Sequence, residues 1–304
     1  MNTFKHPTIS VLMPVYNAER YVAEAVESIL AQTFADFEFI ITDDGSTDGS
    51  HSILKRYAKQ DSRIRLISRP NTGYVVALNE MLALARSEFI ARMDADDISL
   101  SERFARQIAF FEAHEECVAL GSGYLVMDPD GQPLSEPDVL ETHEEIDAAL
   151  LAGLRGVLAH PSTMFRGRAL LQVGGYRSEF EPCEDRDLFL RLAEVGRLAN
   201  LKEALLSYRM HSASVCATRT QEQDAKGQAA LREAYERRGL PLEALPPLRG
   251  RKSLCEAERL RNWVWWALGS GHVKTARKHA LRTVRLAPFS LESWRVLTCA
   301  MRGY

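Results

Sequence analysis

Three carboxylates fall within four residues at Asp94-Ala95-Asp96-Asp97, directly after Glu88–Met93, a stretch that reads as a short buried strand. Clustered like charges at the end of a buried strand need an offset. Solvent can supply it, as in a plain acidic turn, or a hard cation that takes oxygen ligands. A second acidic group, Asp43-Asp44-Gly45-Ser46-Thr47-Asp48-Gly49, follows the apolar run Phe37–Thr42. A third pair, Glu184-Asp185, opens a helical stretch with Leu188, Leu192 and Val195 on its apolar face. A carboxylate there is either a helix cap or, facing a cleft, a general base held ionised by the helix dipole. His211, in Tyr208-Arg209-Met210-His211, bears on the chemistry only if the fold returns it to the Asp96 edge.

These residues need elements to position them. Thr8–Val15 is a continuous apolar run that suits a strand buried on both faces, with Pro14 closing it. Asn17 offers an N-cap for a helix over Ala18–Ala31. Further strands are expected at Phe37–Thr42, Ile64–Ser68 and Phe89–Met93, with helices through Ile53, Leu54 and Tyr57 and over Val75–Ala85. Strands alternating with helices at this spacing predict a parallel, doubly wound α/β sheet. Asp43/Asp44 and Asp94/Asp96 then sit just past the carboxyl ends of parallel strands, where such sheets bind ligands. If those strands are near neighbours, the two acidic sets lie about 5–10 Å apart. That favours one shared site over two unrelated turns.

Further on, Ser99 or Ser101 can cap a helix ending at His114, and Val118–Met127 reads as a strand before a turn at Asp128–Gly131. A helix is expected near Glu144–Leu151, strand or loop at His160–Arg166, and a tight turn at Gly174-Gly175-Tyr176.

Several chemistries are excluded on residues. Asp44-x-Ser46-x-Asp48-Gly49 imitates a calcium-binding EF loop, but its twelfth position is Lys55 instead of a bidentate Glu. No Gly-x-x-x-x-Gly-Lys-Ser/Thr is present, and no Gly-x-Gly-x-x-Gly follows the first strand. The five cysteines are scattered and odd in number, without metal-ligand spacing, as in a reduced cytosolic protein. A hydrophobic fraction of 46% with 26% charged residues describes a globular chain with a large core, and its 304 residues suggest about two domains. Residues Met1–His6 lack the apolar core of a signal peptide, and no apolar run is long enough to span a bilayer. The charge is uneven. From Arg249 onward twelve Lys/Arg stand against three Glu, which gives +9 there and −12 over residues 1–248.

Residues 8 to about 215 resemble the inverting GT-A glycosyltransferases of glycosyltransferase family 2. The likeness rests on an ordered set: Val-Leu-Met-Pro-Val-Tyr-Asn-Ala-Glu (11–19), Ala-Gln-Thr-Phe-Ala-Asp-Phe-Glu (31–38), Asp-Asp-Gly-Ser-Thr-Asp-Gly (43–49), Asn71-Thr72-Gly73, Asn79, the Asp-x-Asp at Asp94–Asp96 with Asp97, Gly174-Gly175-Tyr176, Glu184-Asp185 and Tyr208-Arg209-x-His211. The resemblance implies a nucleotide-diphosphate sugar donor, UDP most commonly, and Mn2+ or Mg2+. It implies that Pro14, Tyr16 and Asn17 edge the base pocket and that Asp44, with Asp43, accepts hydrogen bonds from the base. Asn71 and Gly73 would shape the loop near ribose and diphosphate, with Asn79 in the same nucleotide-sugar half. Asp94 would face ribose or metal, Asp96 would ligate the metal with His211 close by, and Asp185 would deprotonate the acceptor hydroxyl. Unlike some relatives, the run after Gly73 (Tyr74–Leu78) has no cation, so diphosphate charge would fall to the metal, to backbone amides, or to Arg92 or Arg209.

The implied architecture is a GT-A, Rossmann-like, mostly parallel sheet with a C-terminal helical extension. Residues 1–218 form the catalytic domain (1–115 for the nucleotide sugar, 116–218 for the acceptor) and 219–304 the basic extension. There, helices are expected at Gln221–Arg238, Cys255–Leu268, Lys274–Leu286 and within Pro288–Arg302, with one unit of tetratricopeptide type among them. Trp263, Trp265 and Trp266 either face a membrane surface or pack the tail against the rest. The expected function is sugar transfer to a glycan or lipid-linked acceptor for cell-envelope or extracellular polysaccharide, in the cytoplasm either free or peripheral on the inner face of the cytoplasmic membrane, with no nucleic-acid partner. A nucleotidyltransferase would carry a Gly-rich loop and a basic residue after the first strand, and Pro14–Asn17 has neither. A catalytically dead binding module would not need Asp44, Asp94, Asp96 and Asp185 together.

Overall fold

The structure is a computed structural model that describes residues 6–212, 214, 218–247, 250 and 254–304. Cys216, Arg249, Arg251 and Lys252, counted above, lie outside the described residues.

Four parallel strands form one half of the sheet: β1 (Ile9–Val15), β2 (Phe37–Asp43), β3 (Ile64–Ser68) and β4 (Phe89–Arg92). They are linked by α1 (Val22–Leu30), α2 (Ser50–Gln60) and α3 (Tyr74–Leu84). Their spatial order is β3-β2-β1-β4, so β1 lies between the two strands that end in acidic residues. β1, β2 and β4 are buried along their whole length and mostly apolar because both faces are covered. Ile9, Val11, Met13 and Val15 meet α1, α2 and α4 (Arg103–Ala113) on one side. Leu12, Ile40 and Ile90 meet Val75, Leu78 and Met81 of α3 on the other.

Beyond β4 the sheet continues through β8 (Met164–Arg166), β6 (Cys117–Met127), β9 (Arg197–Arg209) and β5 (Ile98–Ser99), with β7 (Pro133–Ser135) added to β6. β8 runs antiparallel to both its neighbours, so the strand direction reverses beside β4, where the Asp94–Asp97 loop emerges. α5 (His143–Leu151), α6 (Gly167–Gln172), α7 (Glu184–Leu192) and α8 (Thr220–Arg237) pack on the α3 side, with Ala230, Leu231, Ala234 and Tyr235 of α8 inside that core. The α/β sheet with a helical C-terminal part is the expected fold.

Three local expectations are corrected. Pro14 does not end β1: it pairs with Thr42, and the strand runs on to Val15. The β1–β4 ladder stops at Leu12–Arg92, so at Pro14 the strand is paired on one side only. Asn17 is not a helix cap. It adopts φ 49°, and its Oδ1 accepts from the Thr47 amide at 2.8 Å, tying the loop after β1 to the loop after β2. Neither Ser99 nor Ser101 caps α4: the Gln32 Oε1 accepts the Phe104 amide at 3.1 Å instead.

The last three helices, α9 (Glu256–Gly269), α10 (Val273–Leu286) and α11 (Leu291–Arg302), build a separate core around Trp263, Val264, Ala276, Ala280 and Val296, closed by Val126 and Leu134. Trp263 is buried edge-on against His279, with ring centres 5.1 Å apart, so this tryptophan packs the tail. Trp265 and Trp266 stay exposed. Among the described residues no helix is long and apolar enough to cross a membrane.

Candidate active site

The loops after β2 and β4 lie one strand apart on either side of β1, about 10 Å by ladder spacing. At β2, Asp43 and Asp44 are both buried. Asp44 accepts from Arg69 Nε at 2.9 Å, the Thr72 amide at 3.1 Å and the Gly73 amide at 3.0 Å. Arg69 also pairs with Glu80 at 2.5 Å. Asp43 accepts from the Ser46 amide at 3.1 Å and lies 2.9 Å from His51 Nδ1. Gly45 is required here: at φ 77°, a Cβ would stand 2.6 Å from the Asn71 nitrogen. Asp44 thus moulds the 69–73 turn, whose Gly73 has φ 98°.

At β4 the geometry is different. Carboxylate oxygens of Asp94, Asp96 and Asp97 all lie within 4.8 Å of one another. Asp94 pairs with the buried Arg92 at 2.5 Å, and Asp96 Oδ2 lies 2.7 Å from His211 Nε2. Asp97 is buried, and its Oδ2 has no hydrogen-bond partner. Burial pushes the Asp94 carboxyl up, with Asp96 adding to the rise against the pull of Arg92. Burial and the charges of Asp96 and Asp94 push Asp97 up further. Three hard oxygen donors, one orphaned in the interior, suit a small divalent cation.

β9 supplies the rest of this edge. It pairs with β5, which directly follows the acidic loop, and so returns Arg209 and His211 to Asp96. Arg209 donates its amide to Asp97 Oδ1 at 2.8 Å and its Nε to the Asp96 carbonyl at 2.8 Å. Its Nη2 reaches Glu24 at 2.6 Å and its Nη1 the Pro129 carbonyl at 3.2 Å.

Glu184 and Asp185 are the first residues of α7, after an N-cap at Cys183 that makes no side-chain bond. The Asp185 Oδ1 accepts the Arg186 amide at 2.7 Å, and its charge reaches Asp94. Burial raises the Asp185 carboxyl, against the pull of that amide and of Arg186. Glu184 is fully buried and takes the Tyr74 hydroxyl at 2.6 Å. Burial, then the neighbouring Asp185, push it up to about 8. Glu184 therefore holds a proton near neutrality, beside the half-buried Asp185. Behind them His160 lies 2.9 Å from the Tyr176 hydroxyl, and burial keeps it neutral.

Residues 10–170 match the family described as Glycosyl transferase family 2. The chain belongs to that family. It is 38% identical over 218 residues to EpsE of Bacillus subtilis, a glycosyltransferase by name, covering 68% of this chain and 74% of that protein. It is 33% identical over 210 residues to the O-antigen biosynthesis glycosyltransferase WbnJ of Escherichia coli, covering 68% and 81%. Among solved structures, TarS 1-349 of S. aureus in complex with UDP-GlcNAc superposes with a TM-score of 0.62 at 17% identity, covering 97% of this chain and 92% of that one. The mannosyltransferase PcManGT of Pyrobaculum calidifontis, in complex with GDP-Man and Mn2+, gives 0.57 at 18%, covering 98% and 81%. The fold is GT-A.

The expected site residues of this glycosyltransferase do not all share one setting. Asp94, Asp96 and His211 meet at the β4 edge, while Asp43, Asp44, Asn71 and Gly73 meet at the β2 edge. Pro14, Tyr16 and Asn17 stand between them at the end of β1, Tyr16 with an exposed side chain. Asn79 lies on α3, within the element that follows the Gly73 turn. Both ends of its amide bond the Tyr176 backbone, at 2.7 and 3.0 Å, fixing α3 to the Gly174–Tyr176 turn. Arg92 and Arg209 are already engaged by Asp94 and by the acidic loop. Arg69, the cation beside Asp44 on the 69–73 turn, was not among the expected cations, which were Arg92 and Arg209. Nor did the sequence show the Tyr74–Glu184 bond, which joins the Gly73 turn to the start of α7.

Proposed function

We propose that this glycosyltransferase is metal-dependent and inverting, and that it moves a sugar from a nucleotide-diphosphate sugar to a hydroxyl of a glycan or lipid-linked acceptor. The observation that carries this is the orphaned Asp97 oxygen among three converging carboxylates, with Asp185 near enough to feel their charge. Asp94, Asp96 and Asp97, with His211, would hold Mn2+ or Mg2+. When bound, such an ion offsets the charge that develops on the diphosphate leaving group. Residues of the chain do the remainder. The Asp44-held turn presents Asn71 and Gly73 to ribose and diphosphate, beside Pro14, Tyr16, Asn17 and Asp43. Asp185 takes the proton of the acceptor hydroxyl, while Glu184, neutral, adds no second negative charge beside it. A single base with no covalent intermediate inverts the anomeric centre.

A UDP-sugar is the donor favoured here, in keeping with the UDP-GlcNAc in TarS and against the GDP-Man in PcManGT. Relatives named for O-antigen and teichuronic acid biosynthesis support cell-envelope polysaccharide as the product class. In this reading residues 1–218 carry catalysis and 219–304 the contact with the inner face of the cytoplasmic membrane.

Calorimetry with Mn2+ and UDP, followed by transfer and hydrolysis assays on UDP-sugars, tests the proposal. Asp185→Asn is expected to keep donor and metal binding while lowering turnover by about 10²–10⁴. A matching loss of donor affinity would make Asp185 a structural residue.

A further inference from the structure

Seventeen large apolar side chains are exposed among the described residues, and nine of them lie between Trp265 and Tyr304. That concentration marks an interaction surface instead of scattered surface hydrophobes. The most exposed of them lie at the α10–α11 turn. Leu286 is half exposed, Phe289 is 99% exposed and Leu291 87%. The Trp294 Nε1 donates to the Pro288 carbonyl at 2.7 Å, which pins the indole over the same turn. Along α11, Ser293, Val296 and Ala300 face inward. Leu291, Trp294, Arg295, Met301 and Arg302 recur at helical spacing on the outer face.

The charge of this region selects the occupant. Residues 254–304 carry nine Lys/Arg and three Glu. Lys274, Arg285 and Arg302 make no ion pair among the described residues, and the Arg295–Glu292 pair is solvent-exposed at 3.5 Å and so weak. A second copy of the chain would bring the same positive charge to the contact. Phe289 stands almost free of neighbours, so the turn is a protrusion with no groove for a peptide. An apolar tip beside Arg285, with Arg295 and Arg302 along the outer face of α11, matches an anionic lipid surface, with the aromatic tip in the headgroup–acyl boundary.

We propose that the α10–α11 turn and the outer face of α11 dock this protein on anionic bilayers, with Phe289 and Leu291 inserted and Arg285, Arg295 and Arg302 on lipid phosphates. This deepens the membrane contact in the proposed function, and it rests on that reading only in that a lipid-linked acceptor gives docking a use. The docked unit is fixed to the catalytic part. Lys278 Nζ and His279 Nε2 hold the buried Asp128 of the β6–β7 turn at 2.5 and 2.8 Å, and the next carbonyl, Pro129, accepts from Arg209. Docking would therefore set the orientation of the acidic loop relative to the bilayer.

The test is co-sedimentation of the full chain with vesicles of phosphatidylcholine alone or mixed equally with phosphatidylglycerol, at low and high salt. UDP binding is measured on the same samples, so failure of the donor reading is visible separately. The expected result is binding to the anionic vesicles only, released by salt. Phe289→Ala with Leu291→Ala should weaken partition about tenfold or more. Arg285→Gln with Arg302→Gln should weaken it about 25-fold, roughly fivefold per cation. All four positions are exposed, so thermal unfolding and UDP binding should match the parent. Absence of binding to anionic vesicles at low salt overturns the proposal. So does equal binding to both vesicle types, or a dimer in solution that Phe289→Ala with Leu291→Ala dissolves.

Discussion

The two acidic strand ends of this sheet look alike in sequence and differ in state. After β2, each carboxylate is supplied with donors: Asp44 has Arg69 and two turn amides, and Asp43 has the Ser46 amide and His51. After β4, three carboxylates crowd together and an oxygen of Asp97 in the interior has no partner. The first arrangement is complete as it stands and stiffens a loop. The second is incomplete, since buried polar atoms are almost always bonded. Clustered acids alone therefore do not identify a cation site. The proposed cation site rests on the unmet oxygen among them.

The strongest way to break this comparison is to remove one carboxylate from the incomplete end. Asp96→Ala is expected to retain the fold, lose Mn2+-dependent UDP binding and drop transfer below detection, because the offset to leaving-group charge is worth several kcal/mol. Isothermal titration and a transfer assay on the same preparation check it. Near-normal turnover would mean that the β4 cluster holds no cation used in the reaction.

The same truncation at the complete end should act on stability first. Asp44→Ala leaves Arg69 with Glu80 alone and strips the Thr72 and Gly73 amides of their acceptor, and an unmet buried polar group costs about 1–3 kcal/mol. The expected outcome is a lowered denaturation midpoint, with Mn2+ affinity unchanged in whatever protein remains folded. A loss of metal affinity with normal stability would reverse the roles of the two ends.

The contrast also measures what a sequence can hold. The apolar runs ending in acids were legible because a strand buried on both faces has a continuous apolar signature. The Asp43–Gly49, Asp94–Asp97 and Glu184-Asp185 segments are local and keep their meaning in one dimension. Which acid is satisfied was not legible, since it depends on partners far along the chain. Arg69 reaches Asp44 across 25 residues, His211 reaches Asp96 across 115, and Tyr74 reaches Glu184 across 110. Asn17 shows the same limit at short range. Its spacing suits a cap, yet its side chain is taken by Thr47 on the next loop. The tryptophans divide likewise: Trp263 and Trp265 are two residues apart, but only the first falls on the buried side of α9.

The smallest and sharpest test concerns Asp97 itself. In the metal-free fold its carboxyl is raised well above 3.8 by burial and by Asp96 and Asp94. A carboxyl raised in the folded state binds its proton there after the unfolded chain has released it. Its contribution to stability is therefore full below about pH 3.8 and is lost as pH rises through the folded value. Asp97→Asn keeps the acceptor for the Arg209 amide and removes the charge. Without metal, the variant should be more stable than the parent at neutral pH by about 1–3 kcal/mol, the scale of an unmet buried polar group, and the gain should shrink towards acid. With Mn2+ the order should invert, because the parent gains an ion that the variant holds poorly. Thermal unfolding at several pH values, with Mn2+ and with a chelator, reads both effects. If Asp97→Asn is less stable at neutral pH in the chelator, the carboxylate is satisfied after all and the two strand ends do not differ.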